Sequence, residues 1–288
     1  MISAATQAQA LDALRRSRSV VLTAYILGRG AVLNGVFDAL RRGTRVSVRL
    51  EGRPYKDAAG RLQAMNLRTV RALKAAGADA ALVDGAGSAQ LPLHMKALIC
   101  DSAVYLDDRN WPDHPPDFIV RDDKPADVQA VRRAALEGLA TAGRSFWTDK
   151  RDAEAAQTRL LSGARHARTV DVETESFGSS PQVFQALRTL ALAHVRCRLI
   201  VAQRVVSPRS RHELALLERA GVRVRAGASN EKMAIVDGAR AWTGSANASF
   251  AGTKGDQIDW GLRTAAPALV RPLRERFAAN WAKAKALA

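Results

Sequence analysis

Leu93-His94-Met95-Lys96-Ala97-Leu98-Ile99-Cys100-Asp101 returns, little changed, as Ser229-Asn230-Glu231-Lys232-Met233-Ala234-Ile235-Val236-Asp237. Each copy runs His or Asn, any residue, Lys, four further residues and Asp, then a strand carrying an aromatic, then Asn. Asn110 closes the first copy and Asn247 the second. Such order marks duplication of a whole supersecondary unit. The exchange of His94 for Asn230 between the copies is the central functional question.

The repetition extends outward from the motif. Val20-Val21-Leu22-Thr23-Ala24-Tyr25 matches Thr169-Val170-Asp171-Val172-Glu173-Thr174 as an opening strand, and a helix follows in both halves. Thr44–Leu50 then parallels Arg196–Ala202, and the next helices end at Gly77 and Gly221, where a helix C-terminus favours glycine. Past the motif, Asp117-Phe118-Ile119-Val120-Arg121 corresponds to Asp259-Trp260-Gly261-Leu262-Arg263. Alternating strand and helix patterns predict an α/β fold of two tandem repeats, residues 1–150 and 151–288, each a mixed sheet flanked by helices. A chain of 288 residues can bury a substantial core. The charged, Ala-rich stretch from Lys124 to about Arg165 predicts helix leading from one half to the other. No Gly/Ser-rich or Pro-rich segment separates the halves, so they are expected to pack around a pseudo-two-fold axis as one body.

Lys and Arg number 44 against 28 Asp and Glu, a net charge of +16, which suits polyanionic partners: nucleic acid or an anionic membrane surface. A generally Arg-rich, Ala-rich proteome would give the same excess. Arg15–Arg18 and Arg204–Arg211 concentrate the charge, although such runs are commonly solvated faces. Cys100 and Cys197 sit inside apolar strand patterns and read as buried thiols, not a disulfide framework. The first eighteen residues lack the pattern of a secretory signal, and no apolar run approaches the ~20 residues that span a membrane. The expectation is a cytoplasmic protein. Neither zinc-ligand spacing nor a Gly-rich phosphate loop or dinucleotide fingerprint occurs, so no metal or nucleotide cofactor is indicated.

Residues two apart on a strand project from one face, so His94 and Lys96 point together, as do Asn230 and Lys232, while Met95 and Glu231 point away. Asp101-Ser102 and Asp237-Gly238 are turn chemistry, and the returning strand brings Asn110 and Asn247 back beside these pairs. A lysine in an apolar strand is costly unless it meets an anion. One imidazole, two ammonium groups and two carboxamides in a small volume would hold a phosphoryl group in transfer.

The sequence resembles the phospholipase D superfamily, marked by His-x-Lys, four residues, Asp, and a Gly-Ser-x-Asn segment, present twice in one chain or once per subunit of a dimer. Asn230, Lys232, Asp237 and Gly244-Ser245-Ala246-Asn247 hold every spacing, with Asn in place of His. The first copy keeps His94, Lys96 and Asp101, but its return strand ends Asp107-Asp108-Arg109-Asn110, one residue early, as a shorter hairpin turn would explain. The resemblance implies metal-independent phosphodiester chemistry. One histidine attacks phosphorus to form a phosphohistidine, and the partner histidine protonates the leaving alkoxide. It assigns His94 as nucleophile, Lys96 and Lys232 as phosphate clamps, and Asn110 and Asn247 as further donors; Ser245 beside Gly244 could be a nucleophile but in this context reads as a hydrogen-bond donor near the phosphate. Asp117 and Asp259 take the place of the downstream acid that orients the histidine through its second ring N–H. With both copies in one chain, an oligomer is not required for a complete site.

Asn230 departs from the family pattern, because a carboxamide donates hydrogen bonds to phosphate but cannot carry a proton at neutral pH. General acid–base help is worth ~10²–10⁴-fold. His114, the one other histidine close to a signature segment, reads as an ordinary loop residue, and His166, His194 and His212 as packed or solvated ones. Glu173, at the end of an opening strand, either faces the cleft or is, with Glu175, a surface acid. Two functions stay open: an impaired phosphodiesterase or phosphatidyltransferase acting on a phospholipid headgroup or a nucleic-acid backbone, and a protein that binds phosphodiesters without turnover. Aromatic residues are too few for an evident base-stacking platform.

Overall fold

The computed structural model describes residues 1–55, 57–83, 91–111, 118–177, 181–228, 231–248 and 257–287. The chain divides into two compact units. The first comprises Met1–Gly143, Trp147–Asp149 and Asp256–Trp260, and the second Arg144–Phe146, Lys150–Gly255 and Gly261–Ala288.

In chain order the first unit contains β1 (Ile2–Ala5), α1 (Gln7–Arg16), β2 (Ser19–Ala24), α2 (Ala31–Arg41), β3 (Arg45–Glu51), α3 (Arg61–Ala75) and β4 (Asp79–Val83). β5 (Lys96–Cys100), β6 (Ala103–Asp107), β7 (Ile119–Asp122) and α4 (Pro125–Glu137) follow. Its sheet has the order β1-β7-β6-β5-β2-β3-β4. β2, β3 and β4 run parallel, while β5, β6 and β7 are antiparallel to their neighbours. β2 and β5 are buried almost throughout, as expected of central strands covered on both faces. Leu22, Val48, Leu50 and Leu98 join Leu14, Val36 and Leu73 from the helices in one core. α1 starts on a capping box in which Thr6 accepts from the Gln9 N–H and Gln9 answers at the Thr6 N–H.

After the short strand β8 (Phe146–Asp149) come α5 (Lys150–Ser162), β9 (Thr169–Thr174), α6 (Pro181–Leu192), β10 (Arg196–Ala202), α7 (Pro208–Arg219) and β11 (Arg223–Gly227). β12 (Met233–Val236), β13 (Arg240–Gly244), β14 (Ile258–Thr264), α8 (Pro267–Lys283) and β15 (Lys285–Ala286) follow. The second sheet is ordered β15-β11-β10-β9-β12-β13-β14-β8. Its parallel trio β9-β10-β11 and antiparallel trio β12-β13-β14 repeat the first sheet's plan. Two mixed sheets flanked by helices are thus the α/β architecture expected of tandem repeats. β14 needs glycine at 261, where a Cβ would lie 2.6 Å from the Cβ of Ala153 on α5. Burial pushes the Cys100 and Cys197 thiols up to about 12, so both are inert at neutral pH.

Two sequence expectations need correction. Lys124–Arg165 is not continuous helix: α4 stops at Gly138, in the left-handed region at φ 69°, and β8 intervenes before α5. The opening strands align one residue differently, since Val20 pairs with Cys100 and Val170 with Val236, the residues preceding the two motif aspartates. Ser19, not Val20, is therefore the counterpart of Thr169. The shorter first hairpin is real: Cys100 pairs with Ala103 across Asp101-Ser102, whereas Val236 pairs with Arg240 across three residues.

The motif aspartates are structural. Asp101, at φ 52°, accepts from the Arg18 and Ser19 N–H groups, and its own N–H donates to Ser19 O. Asp237, also at φ 52°, does the same with Arg168 and Thr169. Each ties a hairpin to the start of the opening strand. Burial would raise the Asp237 carboxyl, but the Thr169 and Arg168 N–H groups, helped by the charges of Arg168 and Arg240, hold it below its ordinary value. Replacing Asp237 by Ala should cost about 1 kcal/mol at neutral pH, a modest figure because the site is exposed. A carboxyl with a depressed folded-state pKa stabilises above its unfolded pKa, about 4, and stops doing so as pH falls through the folded value. Urea denaturation of both proteins should therefore show the gap at pH 7 shrinking below pH 4.

Candidate active site

His94 lies in the segment entering β5, and its backbone is fixed before its side chain acts. The Leu93 N–H donates to the buried Glu51 carboxylate at 2.6 Å, and the His94 and Met95 N–H groups both donate to Ile258 O at 2.8 Å. Ile258 N–H donates back to Pro92 O at 2.8 Å. This clasp sets β14's first residues beside His94, and the next residue is Asp259. Asp259 Oδ1 stands 3.0 Å from His94 Nδ1, with the carboxylate wholly buried and the imidazole 25 % exposed. Gln257 donates to the other oxygen at 2.7 Å.

Lys96, buried on the same face of β5, places Nζ 3.0 Å from His94 Nε2. A carboxylate accepts and an ammonium donates, so the two contacts together specify the tautomer: the proton sits on Nδ1 and the lone pair on Nε2. Tyr25, just beyond β2, meets the imidazole edge-on at 5.1 Å between ring centroids, and Lys96 Nζ lies 5.7 Å from the Tyr25 ring centre. Burial raises the Tyr25 phenol pKa. The hydrogen bond from the Tyr55 N–H opposes this, and Glu51 and Asp57 add to the rise, so the phenol is neutral at physiological pH.

Asn110 is oriented by the Ile26 N–H, which donates to its Oδ1 at 3.1 Å, and the Ser176 N–H holds Asn247 Oδ1 at the same distance. An N–H can face only the oxygen, so each carboxamide presents Nδ2 as its donor end. In the second unit Lys232 is buried, and its Nζ lies 3.4 Å from Glu175 Oε2, while Arg204 pairs with Glu175 Oε1. Burial alone would raise the Glu175 carboxyl, but the Lys232 and Arg204 charges outweigh it and hold it below the usual glutamate value. Ser245 is fully buried. Glu173, buried too, accepts from Asn280 on α8 and is not a surface acid. Glu231 pairs with Arg276 at 2.9 Å.

His94, Lys96 and Asp259 are thus brought together, with Asn110 anchored next to Tyr25. Asp117, Asn230 and His114 lie outside the described residues. Sequence reasoning does not single out Tyr25 or Gln257, and it does not show that Glu175 pairs with Lys232 and Arg204. Glu175 becomes visible once the repeats are aligned through their asparagines. Among the described residues no group of three or more His, Cys, Asp and Glu side chains is placed to hold a metal ion, and no helix is long and apolar enough to cross a membrane.

Residues 158–281 match the family described as cardiolipin synthase, PLD-like domain. No curated protein matches the sequence. Among solved structures, polyphosphate kinase from Porphyromonas gingivalis is similar over 98% of this chain at 15% identity and a TM-score of 0.68. The chain spans 50% of that protein's length. Phosphatidylserine synthase from Haemophilus influenzae Rd KW20 is similar over 99% of this chain and 87% of its own, at 10% identity and a TM-score of 0.68. At such identities both likenesses are of fold. What the comparisons share is the fold over nearly the whole chain, and a PLD-like family match confined to residues 158–281.

The tautomer is directly measurable. Nitrogen-15 NMR of the imidazoles should report His94 protonated at Nδ1 with Nε2 bare. Asp259→Asn, whose amide can donate as readily as it accepts, should move His94 toward the opposite tautomer. An unchanged spectrum in that variant would remove Asp259 from its orienting role.

Proposed function

We propose that the chain is a phospholipase D-like phosphodiesterase that cleaves or transfers a phosphodiester through a phosphohistidine on His94, slowed by Asn230. One observation carries this reading: His94 is held between the Asp259 carboxylate at Nδ1 and the Lys96 ammonium at Nε2. The first contact aims the lone pair, and the second puts a cation where a phosphate oxygen would arrive. On substrate binding the ammonium passes from Nε2 to that oxygen. Nε2 then attacks phosphorus, and the P–O bond to the leaving group breaks. Asp259 stabilises the charge that forms on the ring. Water or an alcohol next attacks the phosphohistidine, the P–N bond breaks, and His94 returns to its starting state with release of a proton.

Proton transfer at the leaving group is where Asn230 matters. The family's second histidine would protonate the departing alkoxide and later activate water, and Asn230 can do neither. An aryloxide needs little protonation, so an aryl diester should form acid-labile phosphate on His94 at a measurable rate while an alkyl diester barely turns over. Asn230→His should narrow that gap by about 10²-fold or more, and His94→Ala should abolish both reactions. Turnover should persist in excess chelator. Equal inertness of aryl and alkyl substrates, unaltered by Asn230→His, would favour the second reading, a protein that binds phosphodiesters without turnover.

Phospholipid headgroups and nucleic-acid backbones both suit a chain of net charge +16. The name of the similar phosphatidylserine synthase leans toward lipid. Titrating salt against binding to single-stranded DNA and to anionic vesicles should show a steep log–log slope for the natural partner. The other surface should bind weakly at physiological ionic strength.

A further inference from the structure

The anchoring asparagines align the two half-sites residue by residue. Asn110 holds the Ile26 N–H and Asn247 the Ser176 N–H, so the residues just before these, Tyr25 and Glu175, are counterparts. The first half-site sets a neutral phenol beside its lysine. The second sets a carboxylate there, 3.4 Å from Lys232 Nζ, with Arg204 on its other oxygen. Among the differences between the repeats are therefore His94 against Asn230 and Tyr25 against Glu175.

A phosphate oxygen drawn to Lys232 would have to share one buried ammonium with the Glu175 carboxylate, a few ångströms away. Two anions so placed repel, and a buried site screens that repulsion poorly. The Arg204 side chain, half exposed, holds Glu175 from the other side and opposes its withdrawal. The position that a bound phosphate would neutralise is already neutralised from within the chain.

We propose that Glu175 is a built-in anion that occupies the lysine clamp of the second repeat and directs phosphodiester binding to Lys96 in the first. This rests on the reading of both lysines as phosphate clamps. Glu175 is thus a residue that determines where substrate binds, with no proton-transfer role.

Dimethyl phosphate, a diester anion at any ordinary pH, is a suitable probe, and calorimetric titration of the full chain reads its binding. Lys96→Ala should remove most binding. Adding Glu175→Gln to Lys96→Ala should restore it, tightening affinity by about tenfold, and adding Lys232→Ala should cancel the gain. Glu175→Tyr, which installs the first repeat's residue, should behave like Glu175→Gln and guards against a folding defect peculiar to one variant. Unchanged affinity in both Glu175 variants, or a gain that survives Lys232→Ala, overturns the proposal. So does loss of aryl-diester turnover in Glu175→Gln with binding unaltered, which would make Glu175 a proton-transfer group. Undiminished binding in Lys96→Ala with Glu175 in place would instead sink the clamp reading beneath it.

Discussion

A carboxylate sealed from solvent is tolerable only when its charge is met, and Asp259 is sealed completely. Its two oxygens are answered by His94 and Gln257. The pairing is possible only because β14's first residues are clasped to the segment entering β5, with Ile258 O taking two successive N–H groups. Backbone geometry, imidazole orientation and the lone pair on Nε2 follow from this single placement. Glu51, buried and donor-satisfied from Leu93 and Arg53, braces the same segment from β3. The rigid elements around His94 thus serve one tautomer.

The duplicated motif mixes two kinds of residue. Asp101 and Asp237 hold hairpins to opening strands by identical sets of backbone bonds in both units, and Asn110 and Asn247 hold the loops beyond those strands. These four are duties of the fold, repeated because the fold is repeated. At His94 and Tyr25, which meet edge-on beside Lys96, the copies diverge.

Legibility from sequence followed physical range. The hairpins, their unequal turns and the shared face of His94 and Lys96 depend on neighbours a few residues away and could be read directly. The β2–β9 alignment slipped by one residue because central strands buried on both faces carry no alternation to pin their register. β8 was lost inside a charged, Ala-rich stretch because four residues are too few to show a period. The meeting of His94 with Asp259, 165 positions away, is a tertiary event: the repeat pattern offers Asp117 and Asp259 as equivalent acids and does not say which one His94 meets.

Persistence of Lys232 and Asn247 beside Asn230 is sometimes the mark of a second working centre, but here both have other employment. Lys232 is buried and charge-matched by Glu175, and its carbonyl accepts from the Thr243 hydroxyl and the Gly244 N–H across the hairpin. Asn247 anchors Ser176, while Thr174 accepts from Ala248 and donates to Ser176 O to close the same corner. Removing the Lys232 side chain would take its cation from the part-buried Glu175, and removing that of Asn247 would take the acceptor from the Ser176 N–H, a cost that falls on stability whatever the chemistry. Retention of the second copy's Lys and Asn is therefore explained by the fold.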